Sequence, residues 1–214
     1  QQLLTGKKRL LDENGVRFSG EWKRMHFGDV VTLGKDKFDP KKENSLEECI
    51  ELEHIEQSTS TVDGSTSTKE ATSTKSKFEK NDILFGKLRP YLRKYWLADR
   101  AGVCSTEIWV FKTNSSFMLP EYLLQVVQLN SFIDVANKSS GTHMPRADWN
   151  VVKDFIIPVP SLSEQKVIAD VLSSVQGQIH KLQKRVNILK EEKRALMQQL
   201  LTGKRRVQVE REFA

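Results

Sequence analysis

The stretch from Ser161 to Gly203 restricts the fold more than any other part of the 214-residue sequence. Ser161 and Glu164, directly after Pro160, form a capping box, the signature of a helix start. Apolar residues then recur at Ile168, Leu172, Val175, Ile179, Leu182, Val186 and Leu189, in alternating steps of four and three. Lys193 interrupts the stripe, and Leu196 and Leu200 resume it. A heptad stripe of this kind is a coiled-coil seam, and it is too narrow to be covered by anything but another helix. Gly203 stands at the C′ stop position, with Lys204, Arg205 and Arg206 placed to complement the helix dipole. At ~1.5 Å per residue, a helix of about 40 residues is ~60 Å long and needs a partner helix along that length. Gly177 inside the pattern weakens it locally, by up to ~1 kcal/mol against alanine.

A second feature joins the two ends of the sequence. Residues 1–10 read QQLLTGKKRL and residues 198–207 read QQLLTGKRRV, an offset of 197 positions with only Lys8/Arg205 and Leu10/Val207 different. Repetition at that distance points to a larger array of domain-plus-helix units, with the tail of a preceding unit's helix at the front of this one.

Composition fits a modest core joined to something elongated. Apolar residues make up 38% of the sequence and charged residues 29%; Lys and Arg outnumber Asp and Glu by 34 to 28, a net charge of +6. That surplus permits a polyanionic partner without requiring one. The two cysteines, Cys49 and Cys104, are too few for a disulfide framework and have no second ligand at metal spacing. They are expected to be buried reduced thiols. No charged-then-apolar leader opens the sequence and no run of about 18 apolar residues occurs. A soluble, cytoplasmic protein with no membrane contact is expected.

Residues 21–160 read as a mixed α/β region. Ile50–Ile55, Ile83–Leu88, Ile108–Phe111 and Phe155–Val159 have the β-branched and aromatic enrichment of strands. Pro120 followed by Glu121, Tyr122, Leu123, Leu124, Val126, Val127, Phe132 and Ile133 predicts a helix with proline in its first turn. Residues 57–77 carry Ser or Thr at 12 of 21 positions and read as a long exposed loop.

Enzyme signatures are missing: there is no phosphate-cradling glycine loop, no G-x-G-x-x-G after a strand, and no Asn-Pro-Pro-aromatic or Asp-Pro-Pro-aromatic motif. The histidines at 26, 54, 143 and 180 have no ligand spacing, and His54 reads as a structural histidine on a strand. No catalytic residue and no metal site are assigned. Two segments carry polyanion chemistry. Lys87-Leu88-Arg89-Pro90-Tyr91-Leu92-Arg93-Lys94-Tyr95-Trp96 interleaves cations with aromatics after a strand, suited to phosphate and stacking contacts or simply to a basic strand edge. Ser139-Ser140-Gly141-Thr142-His143-Met144-Pro145-Arg146 offers small residues and donors for close approach to bases, or an ordinary turn into a helix starting at Pro145. Lys69, Lys75 and Lys77 in the Ser/Thr-rich stretch serve either phosphate or solvent.

Several short pieces, in order, resemble the specificity subunit of type I restriction–modification enzymes. They are Trp22-Lys23 with Phe27-Gly28-Asp29-Val30; Leu52-Glu53-His54-Ile55; Asn81 through Leu92; Gly102-Val103-Cys104-Ser105-Thr106-Glu107; Gly141-Thr142 with Arg146; Ile157-Pro158-Val159-Pro160 with Glu164-Gln165; and Leu200 through Lys204. Asn81 stands where that family usually has glycine, and Gln176 near where it has an acid. The resemblance implies an α+β fold: a target-recognition domain over 21–160, then a conserved spacer helix over 161–203 in an antiparallel coiled coil with a partner helix. Residues 1–20 would be the end of a preceding helix with its linker, and 204–214 a basic tail.

By that resemblance a full subunit carries two recognition domains, each reading half of a split DNA site. Separate modification subunits bind S-adenosylmethionine and methylate, and restriction subunits join indirectly. This chain itself is expected to need no cofactor. Expected partners are double-stranded DNA, the modification subunits, and a second copy through the helix. The residues expected at DNA are Lys87, Arg89, Arg93 and Lys94 on phosphates, and Thr142, His143 and Arg146 on bases. Ile168, Leu172, Val175, Ile179, Leu182, Val186, Leu189, Leu196 and Leu200 are the expected seam. The competing readings are a chain with its own methyltransferase or nuclease activity, and a coiled-coil adaptor whose head binds protein.

Overall fold

Alternating apolar side chains decide how the strands are layered. The computed structural model describes residues 2–43, 47–70, 73–138 and 145–206. Its first strands are β1 (Lys23–His26), β2 (Val31–Leu33), β3 (Lys37–Phe38), β4 (Glu48–Ile50) and β5 (Thr66–Ser67), with the short helix α1 (Phe27–Val30) between β1 and β2. There follow β6 (Lys75–Phe78), β7 (Ile83–Gly86), β8 (Tyr95–Leu97), β9 (Gly102–Cys104) and β10 (Ile108–Thr113). The chain then runs through α2 (Pro120–Val127), α3 (Asn130–Ala136), α4 (Trp149–Val152), β11 (Ile156–Val159) and α5 (Leu162–Leu201). The chain divides into two compact units that part after Leu172.

The globular unit holds three sheets among the described residues: β1 with β11, the order β2-β10-β7-β8, and the order β3-β6-β9-β4-β5. All pairings are antiparallel except β4 with β9. The four-stranded sheet is buried on both faces, so its strands read as continuous apolar runs rather than half-polar ones. In β7, Ile83 and Phe85 enter the core shared with α2 and α3, while Leu84 enters a second core with Ile50, Phe78 and Cys104. β10 divides in the same way, with Phe111 on the first side and Ile108 and Val110 on the second. The period of two in a strand forces this division. Aromatic rings concentrate on the helix side: Phe27 meets Phe111 edge-on at 5.4 Å, and Phe85 meets Phe132 edge-on at 5.4 Å.

Several expectations are corrected. Only Glu48–Ile50 is strand at the first predicted site. Leu52–His54 is a 3₁₀ turn, because His54 Nδ1 accepts the Glu51 N–H at 2.9 Å and removes it from any ladder. The Ser/Thr-rich stretch is not one exposed loop. It contains β5 and β6, and Lys75 and Ser76 are buried, with the Lys75 ammonium held by Glu51 at 2.5 Å. The helix beginning at Pro120 is interrupted between Val127 and Asn130 and becomes two. No helix begins at Pro145: α4 starts at Trp149, capped by the Asp148 carboxylate accepting the Asn150 N–H at 2.9 Å. Asn81 has φ +74°, in the left-handed region that asparagine tolerates best after glycine.

The capping box at the start of α5 is half formed. Ser161 Oγ accepts the Glu164 N–H at 3.3 Å, but the Glu164 carboxylate is turned inward and only 1% exposed. There it takes two hydrogen bonds from the Arg9 guanidinium, at 2.5 and 2.7 Å, and one from Trp22 Nε1 at 3.0 Å. Ile168 and Ala169 are buried in the globular core and Leu172 packs against it, so the first turns of α5 belong to that unit. From Val175 the expected seam residues Ile179, Leu182, Val186, Leu189, Leu196 and Leu200 are exposed. Both cysteines are free and buried, and burial raises the Cys49 thiol to about 11.

Two stability outcomes follow. Phe85→Ala should cost about 3–5 kcal/mol, because its ring touches both the sheet and α3, read as a fall in the urea midpoint at unchanged m. Arg9→Ala should cost a similar amount, about 3–5 kcal/mol, because it strands a buried carboxylate; Glu164→Gln in the Arg9→Ala background should recover part of that loss in the same denaturation series.

Candidate nucleic-acid interface

The end of β7 is where the candidate contact residues meet. Gly86 closes the strand because a side chain there would press on Leu52 at 2.9 Å. The next three residues are stitched to two other segments by main-chain bonds. Lys87 N–H donates to the Glu107 carbonyl at 3.0 Å, and the Lys87 carbonyl accepts the Ala147 N–H at 2.8 Å. Leu88 bridges Arg146, and Arg89 N–H donates to the Pro145 carbonyl at 2.8 Å. Segments 87–89, 105–107 and 145–147, distant in sequence, therefore converge on one surface.

Lys87, Arg89 and Arg146 are brought together by this stitching. Arg89 is exposed, and neither it nor Lys87 has an ion-pair partner among the described residues. Arg146 is exposed and turned onto Glu107, with Nε at 3.0 Å and Nη2 at 3.4 Å from the carboxylate oxygens. That hydrogen bond raises the Arg146 pKa above its ordinary value. An ion pair this open to water is weak and can be exchanged for a phosphate or a base edge.

Arg89 and Arg93 both sit in the left-handed region, at φ +52°, on either side of the 3₁₀ turn Pro90–Leu92. The turn holds Tyr91 half exposed at its tip. Arg93 and Lys94 lie apart from the cluster in their bonding. Arg93 donates to the Gln128 carbonyl at 3.1 Å and to Asn130 Oδ1 at 2.6 Å, tying the α2–α3 junction. Lys94 Nζ donates to the Leu52 carbonyl at 2.5 Å, and burial lowers its pKa. Thr142 and His143 lie outside the described residues; the described chain resumes at Pro145, against Arg89.

Other cations are matched to acids on the five-stranded sheet and its neighbours. Lys77 meets Glu43 at 2.6 Å, Arg100 meets Glu48 at 2.6 Å, and Lys112 meets Asp82 at 3.0 Å. Lys87 and Arg89 are not among these matched cations, and Arg146 is held only by the open pair with Glu107. Sequence reasoning missed Glu107 as a contact partner and the Arg9–Trp22–Glu164 cluster; the second was signalled by an arginine kept at positions 9 and 206 of the repeat. Among the described residues no group of acids, histidines and cysteines is arranged to hold a metal, and no helix is long and apolar enough to cross a membrane.

The chain is 26% identical over 170 residues to the type I restriction enzyme EcoDI specificity subunit of Escherichia coli, covering 78% of this chain and 37% of that protein. It is 26% identical over 192 residues to the MjaVIII specificity subunit of Methanocaldococcus jannaschii, covering 88% and 44%. In fold it superposes on the HsdS subunit from Thermoanaerobacter tengcongensis with a TM-score of 0.68 at 22% identity, over 87% of this chain and 50% of that one. A chain from a structure of a type I R-M system gives 0.71 at 22% identity, over 86% and 49%. The chain thus spans about half the length of the relatives it matches or less. Residues 19–190 match the type I restriction modification DNA specificity domain, and the chain belongs to that family.

Proposed function

We propose that this chain is a non-catalytic DNA-reading unit that recognises one half of a split site within a type I restriction–modification complex. The observation that carries the reading is the convergence of Lys87, Arg89 and Arg146 on one surface of a domain that matches the DNA specificity family. Lys87 and Arg89 anchor phosphates, which fixes the register of the protein on the duplex. Arg146 reads a base edge once DNA draws it from Glu107, and Thr142 and His143, next along the chain, add base contacts. Arg93 and Lys94 support the surface from behind through the bonds described above and contribute field rather than direct contact.

The exposed stripe from Val175 to Leu200 pairs antiparallel with the counterpart helix of another unit and sets the distance between two half-sites. Modification subunits dock on the assembled rod and heads and bring S-adenosylmethionine and the methyl-transfer chemistry. Restriction subunits join through them, and the whole acts in the cytoplasm. Incubated alone with DNA and labelled S-adenosylmethionine, the chain should transfer no methyl group; transfer would assign it an activity of its own.

Three measurements test the reading. In anisotropy titrations of the assembled complex, Lys87→Ala and Arg89→Ala should each weaken DNA binding and make the log–log salt slope shallower by about 1. An unchanged slope removes that residue from the phosphate contacts. Leu182→Asp should abolish helix pairing, read as loss of the associated species in sedimentation, while leaving the melt of the globular unit in place. Exchanging this unit for another in cells and mapping the methylated motif should change one half-site; an unaltered motif overturns the proposal.

A further inference from the structure

The chain has three tyrosines, and the fold leaves one of them outside. Tyr95 and Tyr122 are buried, whereas Tyr91 is 51% exposed. Among the described residues its ring meets no other ring or cation, and its phenol makes no hydrogen bond. The backbone imposes this exposure. In the 3₁₀ turn Pro90–Leu92 successive side chains point about 120° apart. Pro90 takes the inward direction, so Tyr91 projects at the tip.

The turn is both strained and braced. Arg89 and Arg93, on either side of it, share φ +52°, a conformation that residues with a Cβ rarely adopt. Strain of this kind persists only where the surroundings enforce it, and it gathers at functional sites. Here two segments enforce it. The Arg89 N–H donates to the Pro145 carbonyl, and the Arg93 carbonyl accepts the Ser58 N–H at 2.9 Å. Ser58 lies at the tip of a hairpin in which the Asp63 N–H donates to the His54 carbonyl at 2.8 Å and the Glu56 N–H to the Thr61 carbonyl at 3.0 Å. Gln57 of that hairpin bridges Lys94. Ser58 and Ser60 are left-handed as well, at φ +62° and +60°. Four of the five non-glycine residues with positive φ among the described residues therefore flank the turn or belong to the hairpin that braces it.

A braced turn that presents one aromatic ring suits a partner with a flat apolar face. The charges beside it define that partner further: Lys87 and Arg89, without ion-pair partners among the described residues, lead into the turn. A DNA duplex offers both, phosphates for the cations and base faces for the ring. We propose that Tyr91 is a wedge: its ring presses into one base step of the half-site, beside the phosphates held by Lys87 and Arg89. Because the turn is preset, little order is lost when the ring enters. The half-site is then selected in part by how readily that step unstacks, which favours a pyrimidine–purine step at the wedge position. The inference rests on the DNA-reading role and adds to it a specificity-determining residue that reads deformability rather than a hydrogen-bond pattern.

The test uses the assembled complex and duplexes carrying its mapped motif. In anisotropy titrations Tyr91→Ala should weaken binding by at least ~10-fold. The salt slope should stay as it is, because the ring neutralises no phosphate. Tyr91→Phe, which keeps the ring, should bind like the unaltered chain. A fluorescent base analogue, 2-aminopurine for adenine or pyrrolo-deoxycytidine for cytosine, is then placed at each base pair of the half-site in turn. At one step its emission should change on binding of the unaltered complex and of Tyr91→Phe, and not on saturation with Tyr91→Ala. Without DNA, all three complexes should melt alike, since the ring packs against nothing. Unchanged affinity of Tyr91→Ala, an equal loss in Tyr91→Phe, an emission change that Tyr91→Ala leaves intact, or a lowered melt of Tyr91→Ala overturns the proposal. If Lys87→Ala and Arg89→Ala also leave binding and its salt slope unaltered, the DNA-reading role itself fails; if they act and Tyr91→Ala does not, only the wedge fails.

Discussion

Glu164 is a carboxylate buried at the first turn of a long helix, and the globular unit is organised around satisfying it. A charge removed from water is tolerable only when it is paired and its lone pairs are filled. Here Arg9 supplies a two-pronged cation and Trp22 a further donor, so the N-terminal segment is locked to a helix start more than 140 residues away in sequence. Beside it Gln165, fully buried, accepts the Leu119 N–H at 2.9 Å and donates to the Phe117 and Pro160 carbonyls, which carries the same junction to the start of α2. The first turn of α5 is therefore anchored within the globular unit by buried polar contacts, which specify geometry more narrowly than apolar packing does.

The surface proposed to face DNA is built differently. Its side chains are exposed and weakly held, while the backbone beneath them is tightly stitched. Main-chain bonds from Lys87, Arg89 and Ala147 fix where the cations emerge. The cations themselves stay free to exchange water, Glu107 or phosphate. Some cations elsewhere on the head, such as Lys77, Arg100 and Lys112, are matched by close acids.

The helix was the most legible element in the sequence, because a heptad pattern depends only on residues of the same segment. Its start at Pro160-Ser161 and its stop at Gly203 could be read for the same reason. The pattern did not distinguish the two kinds of apolar neighbour that it would meet. Ile168 and Leu172 satisfy the same spacing as Val186 and Leu189, yet the first pair is taken up by the head and the second is exposed. Strands inside the head were legible where both faces are buried, as at Ile83–Gly86 and Ile108–Thr113. Reading failed where a long-range partner overrode composition. Lys75 and Ser76 look like loop residues until Glu51 and the neighbouring strands are in place.

The sequence alone determined that the chain joins an α+β head to a heptad helix, that its end phrase recurs, and that cations cluster after one strand. These follow from periodicity and identity, which are local. Tertiary structure decided which cations face outward. Arg89 and Arg93 have the same composition and mirror positions around Pro90–Leu92, but only Arg93 finds carbonyl and amide acceptors, at Gln128 and Asn130. It also decided that Leu4 and Arg9 of the first copy are packed against the core and Glu164 while Leu201 of the second is exposed, since the Arg9–Trp22–Glu164 cluster exists only once distant segments have been folded together.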